Sequence, residues 1–292
     1  MLETDTLLSA RNAPAAGNDT SNGLSRRNFL ASAAALALST ALGCGQSRRT
    51  GLKPDADAPS TSKSSFSTVV VAAFDISEST KLTSARDPYL AGFQAIVNSL
   101  DDSAYLSGYP ITANTEATSG YRISQSFPAY NPWQDNKDQY IEKLAQARAS
   151  AVEQARALLT SLRTATATDV LNAFHDAANI FSGDAYKEAP NKKLVVFSDM
   201  IQQAGTDDFL REDLSERKIS QIIEAQRAAG QLPSLTGVRV WVAGATADPL
   251  GRVRPDKIAQ IRRFWLAFFQ ACGGDLTMER YGTLLQNYPE HS

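Results

Sequence analysis

The chain has 292 residues, 43% hydrophobic and 21% charged, ordinary for a soluble protein and enough for one sizeable core. A formal net charge of −2 gives whole-chain electrostatics no grip on nucleic acid, so no nucleic-acid partner is expected. Two cysteines, Cys44 and Cys272, are too few for a disulfide framework, and two histidines, His175 and His291, argue against a His-rich metal site.

The amino-terminal stretch reads as an address. Residues Met1–Leu24 are mostly polar or small, and then Ser25-Arg26-Arg27-Asn28-Phe29-Leu30 leads into an uncharged run that ends at Leu42. The run Phe29–Leu42 is too short to cross a hydrocarbon core about 30 Å thick, and a charged pair before a short apolar segment is a signal-peptide layout. Arg26-Arg27 before Phe-Leu resembles a twin-arginine export signal, which implies export of a folded protein. Ala41-Leu42-Gly43-Cys44 resembles a lipobox, which implies a lipid-modified Cys44 and a chain anchored to a bacterial cell membrane on its extracytoplasmic side. A small-residue cleavage site and simple secretion is the alternative. Residues 1–43 are thus expected to be the signal, and residues 44–65, rich in Ser, Thr, Pro, Asp and Lys, a flexible tether.

The pattern changes at Phe66. Ser67–Asp75 (STVVVAAFD) is a β-branched run apolar on both faces, as expected for a strand inside a helix-covered parallel sheet. A first helix is expected over about Tyr89–Leu100. Ala104–Thr115 and Tyr121–Phe127 read as two strands, a hairpin across the turn Glu116–Gly120. Helical spacing of Ile141, Leu144, Ala145, Val152, Ala155, Leu158 and Leu159 predicts a helix over Asp138–Leu162, and another follows over Thr168–Phe181. Leu194–Asp199 (LVVFSD) and Val238–Ala243 (VRVWVA) are further buried strands. Helices are expected over Leu214–Ala229 and over Asp256–Cys272, the latter stopping at Gly273-Gly274. Strand and helix alternate, so residues 66–292 should form one doubly wound, mostly parallel α/β domain.

The chemistry is expected in Asp75-Ile76-Ser77-Glu78-Ser79, at the carboxyl end of the first strand. One carboxylate and two hydroxyls on a tight turn offer the hard oxygen ligands that a divalent cation takes. This Asp-x-Ser-x-Ser pattern resembles the metal-ion-dependent adhesion site of von Willebrand factor A domains. The resemblance adds Thr168, before Asp169-Val170 at a helix start, and Asp199, at the end of LVVFSD. It implies that Asp75, Ser77, Ser79, Thr168 and Asp199 hold a cation, Mg²⁺ first, with Mn²⁺ or Ca²⁺ possible. A protein partner's Asp or Glu would complete the shell. The sequence departs from the family at Ala167 and Met200, where glycine is usual, and Thr164 and Thr166 stand near Thr168 as alternatives. The site is expected on loops outside the core, and Thr168 is also a candidate helix cap.

The expected function is a membrane-tethered binding module of the cell envelope, not an enzyme. An assembly lipoprotein with a vestigial metal site is the alternative. A haloacid-dehalogenase-type hydrolase would want an aspartate where Ser77 stands, and no Gly-x-Ser-x-Gly elbow supports a serine hydrolase. Cys272 and the set Phe264, Trp265, Phe268 and Phe269 are expected in the core, His175 packed or at the surface, and Tyr130-Asn131-Pro132-Trp133 as a local packing anchor, with a partner contact as the alternative.

Overall fold

The run TVVVAAFD holds three consecutive valines and no glycine or proline. In the computed structural model it forms strand β1, Thr68–Asp75, buried from end to end. The structure describes residues 66–77, 83–100, 102–113, 122–161, 167–204, 207–245 and 253–289, all within one compact unit, Pro59–Ser292. Beyond β1 the described strands are β2 (Ala104–Ile111), β3 (Ile123–Ser126), β4 (Asn191–Phe197), β5 (Val238–Ala243) and β6 (Asp275–Gly282). The described helices are α1 (Thr83–Ser99), α2 (Lys137–Ser161), α3 (Val170–Ser182), α4 (Glu216–Ala228) and α5 (Pro255–Ala271).

The strands make one sheet in the order β3-β2-β1-β4-β5-β6, parallel except for β3. This is the expected doubly wound α/β architecture. Because successive side chains of a strand point to opposite faces, β1 serves two cores. Val69, Val71 and Ala73 pack with Phe174 of α3, Ile222 of α4 and Phe268 of α5. Val70, Ala72 and Phe74 pack with Phe93 of α1 and Ala151 and Leu158 of α2. Strand order reverses between β1 and β4, and a crevice opens at such a point beyond the carboxyl ends of the strands.

Several expectations need correction. Helix α1 starts at Thr83, before the expected Tyr89, and runs through Pro88, which costs it one backbone bond. Strand β4 ends at Phe197, so Asp199 lies just beyond it. Helix α3 starts at Val170 and is capped by Asp169, whose side chain accepts from the Asn172 amide; Thr168 is not the cap. Strand β6 was not expected at all. Strands β2 and β3 do pair antiparallel, Gly108 opposite Ile123, and the turn Glu116–Gly120 lies outside the described residues. Trp133 is no packing anchor. It is 93% exposed, while Tyr130 packs on Tyr140 at 4.8 Å.

Phe264, Trp265, Phe268 and Phe269 are core residues, and Cys272 is buried with its thiol pushed up to about 12 by that burial. His175 is half-buried on α3. No helix among the described residues is long and apolar enough to cross a membrane.

Candidate functional site

Asp75 is the last residue of β1 and is fully buried. It therefore does not lie on a loop outside the core, as the sequence led one to expect. One carboxylate oxygen, Oδ1, accepts from the Ser77 amide at 2.8 Å, and the other, Oδ2, accepts from the Ser198 hydroxyl at 2.8 Å. Burial raises its pKa above the ordinary 3.8, and the opposing hydrogen bonds come from Ser77 and Ser198, all neutral donors. A buried carboxylate whose hydrogen bonds come from neutral donors gains from a nearby cation.

The β1–β4 register brings the second carboxylate to the same place. Phe74 stands opposite Phe197, so Asp75 meets Ser198, and Asp199 follows directly. Ser198 is fully buried, and its amide donates to Ala243 of β5 at 2.9 Å. Its hydroxyl, besides donating to Asp75, accepts from the Met200 amide at 2.9 Å. Asp199 is 8% exposed, and its Oδ1 accepts from the Ile201 amide at 3.0 Å.

Thr168 reaches the same rim through backbone bonds. Its carbonyl accepts from the Gln203 amide at 3.0 Å, and the next amide, Asp169, donates to Thr112 beyond β2 at 3.2 Å. Gln202 fixes this loop. Its Oε1 accepts from the amides of Val170 at 2.8 Å and Leu171 at 3.1 Å, two of the donors that a helix start leaves open. Its Nε2 donates to Asp169 at 3.1 Å and to the Ala204 carbonyl at 3.0 Å. The segments after β2, after β4 and before α3 are thereby tied into one rim.

Two tyrosines back the carboxylates. Tyr89 of α1 is held far above its usual pKa by burial first, then by Asp75 and Asp199, so its phenol lies near both. The chain makes room for it at Gly244, where φ is +99° and a Cβ would meet the Tyr89 hydroxyl at 2.5 Å and the Ser198 carbonyl at 2.9 Å. Tyr281 of β6 is shifted upward by burial and then by Asp199, and its buried hydroxyl has no hydrogen-bond partner among the described residues.

The structure thus gathers Asp75, Ser77, Thr168 and Asp199 at the carboxyl ends of β1 and β4, all buried. Ser79, Thr164, Thr166, Cys44, Arg26 and Arg27 lie outside the described residues. Among the described residues no three His, Cys, Asp or Glu side chains converge, so a cation here would depend on two carboxylates together with hydroxyls. Such an all-oxygen set fits Mg²⁺, Mn²⁺ or Ca²⁺ and does not suit a soft metal. Ser198, Gln202, Tyr89 and Tyr281 had no sequence signal, because each acts through contacts that only the folded sheet creates.

No protein-family model and no curated protein matches the chain. Solved structures that resemble it include a von Willebrand factor type A protein from Catenulispora acidiphila, 16% identical with a TM-score of 0.35. An aerotolerance-related membrane protein from Bacteroides fragilis is 11% identical with a TM-score of 0.35. The pilus adhesin SpaC from Lactobacillus rhamnosus GG is 13% identical with a TM-score of 0.40. The alignments cover 71%, 75% and 74% of this chain, and 43%, 92% and 28% of those chains. This chain therefore spans less than half of the Catenulispora protein. Likenesses this loose say nothing about activity, and the fold stands on its own strand order and register.

Proposed function

We propose that the chain is a membrane-tethered, extracytoplasmic binding module of von Willebrand factor A type. Asp75, Ser77, Ser79, Thr168 and Asp199 hold a divalent cation, Mg²⁺ first, and the cation supplies a bond to an Asp or Glu of a protein partner. The observation that carries this reading is the buried Asp75 carboxylate, held by neutral donors beside Asp199 at the point where strand order reverses. The residues of this chain bind and orient. Ser198 fixes one Asp75 oxygen, and Gln202 holds the Thr168 loop against the Asp199 loop. Lipid on Cys44, behind the signal carrying Arg26 and Arg27, would tether the module to the membrane.

Thermal melting tests the metal. An ion at 100 times its dissociation constant stabilises by about 2.7 kcal/mol, a rise of roughly 5–11 °C for a domain of this size. Wild type should show that rise with Mg²⁺, Mn²⁺ or Ca²⁺ over EDTA, and Asp75→Asn should not. Asn is chosen over Ala because its Oδ1 still accepts from the Ser77 amide, while its NH2 replaces the oxygen facing Ser198 and donates to that hydroxyl instead. A folded wild type unmoved by all three ions would sink the metal reading and leave an assembly role that needs no cation.

A further inference from the structure

The candidate metal site lies at the carboxyl ends of the parallel strands, and a different surface stands at the opposite end. There Ser67, just before β1, donates through its hydroxyl to the Asp102 carbonyl at 2.8 Å. The Asp102 side chain accepts from the Tyr130 amide at 2.8 Å, and the Ser103 amide donates to the Pro128 carbonyl at 3.3 Å. The point where the chain enters β1 is thus linked through Asp102 and Ser103 to the loop that carries Trp133.

That loop is rigidly built. The Asn131 amide donates to Asp135 at 2.7 Å, the Asn131 side chain accepts from the Trp133 amide at 3.0 Å, and the Asp135 amide donates to the Asn131 carbonyl at 2.8 Å. Asn136 then accepts from the Asp138 and Gln139 amides at 2.8 and 3.2 Å, starting α2. On this frame the Trp133 ring is 93% exposed. The first ten residues of α2 carry no buried side chain, the first being Ala147, and Ile141 there is 52% exposed. A large apolar ring held out on an ordered loop loses little conformational entropy when it is covered.

We propose that Trp133, together with the exposed Ile141 of α2, is a lipid-contact surface that seats this end of the domain on the membrane; this rests on the reading of Cys44 as the lipid anchor. Two observations select lipid over a protein. The first is reach. The chain from Cys44 to Ser65, about 22 residues, has a contour of at most about 75 Å and joins the domain at Phe66, next to Ser67, so the bilayer lies within that contour of this end. The second is chemistry. Indole pairs an apolar body with an N–H donor and concentrates at the headgroup level of membranes. The flanking charges Asp135, Lys137, Asp138, Glu142 and Lys143 are of both signs, which suits a zwitterionic headgroup better than an anionic one.

The experiment uses the full chain, produced in a bacterial host with its own signal and reconstituted in phosphatidylcholine vesicles with plain or brominated acyl chains. Trp241 is 2% exposed and Trp265 fully buried, so Trp133 alone is open to quenchers, and Trp133→Phe subtracts its share. The expected result is a blue shift of the Trp133 emission on vesicles and loss of most of it to brominated lipid. Suppose instead that Cys44 is acylated by mass and the protein floats with the vesicles, yet Trp133 stays red-emitting and equally quenched by aqueous acrylamide. The proposal is then overturned while the tether stands. A chain without lipid on Cys44 that does not float removes the tether, and the proposal with it.

Discussion

Met200 carries a full side chain at φ +64°, in the left-handed region. This is the position where the resembled family has glycine, and the departure has a physical cost of about 1–2 kcal/mol. Two contacts offset it. The Met200 side chain is fully buried, and its carbonyl accepts from the Trp265 indole N–H at 2.8 Å. Met200→Gly would relieve the strain but lose a buried side chain, a class of change costing about 2–5 kcal/mol. Urea denaturation should therefore show Met200→Gly less stable than wild type, by about 1–3 kcal/mol once the relieved strain is deducted. An unchanged midpoint would mean that burial of the side chain only balances the strain, and a raised one that it contributes less than the strain costs. Asp75 and Asp199 were legible from sequence because each ends a β-branched run with a carboxylate. Ser198 was not, because its partner Asp75 is 123 positions away, and no local pattern signals a hydroxyl that meets a carboxylate across a strand pair.

Elements with a strong period were legible, and those shaped by tertiary context were not. Strand β5 was legible to the residue, and α2 within one residue at each end, because apolar runs and helical spacing mark them. Strand β6 (DLTMERYG) is an edge strand with mostly half-buried or exposed side chains, so it lacks the apolar run that identified the others. The first helix was expected from about Tyr89, yet α1 begins at Thr83 and runs through Pro88, and Phe93, Ile96 and Val97 of that helix are fully buried in the core. The junction before α3 depends on Gln202, 2% exposed, whose amide takes two helix-start N–H groups. Gln202→Leu keeps similar bulk but leaves those donors without an acceptor, at about 1–3 kcal/mol each for an unsatisfied buried group. The variant should melt lower than wild type, and its metal-induced rise should shrink because the loop carrying Thr168 keeps only its backbone bonds. A full-sized metal shift in a destabilised Gln202→Leu would show that Thr168 is placed by other means.

Across the whole molecule, the two cysteines report on its two ends separately. Cys272 follows α5 deep in the core, 4% exposed with its thiol pushed up to about 12, so it is a poor nucleophile near neutral pH. Cys44 lies outside the described residues, and its fate distinguishes an anchored chain from a secreted one. A thioether-linked lipid on Cys44 leaves no thiol there. The native protein should then give no fast reaction with a disulfide reagent, and one thiol in denaturant, from Cys272. Ordinary cleavage before an unmodified Cys44 would instead give one fast thiol natively and two in denaturant. Because Cys272 is held by Phe268 and its neighbours and not by the candidate metal site, Asp75→Asn should leave both counts unchanged. A fast thiol in the native wild type, with intact mass showing no acyl chains, would end the membrane-anchor reading. The same result would leave the Asp75–Asp199 centre to be judged by its own melt, since that centre stands at the other end of the sheet from Ser67.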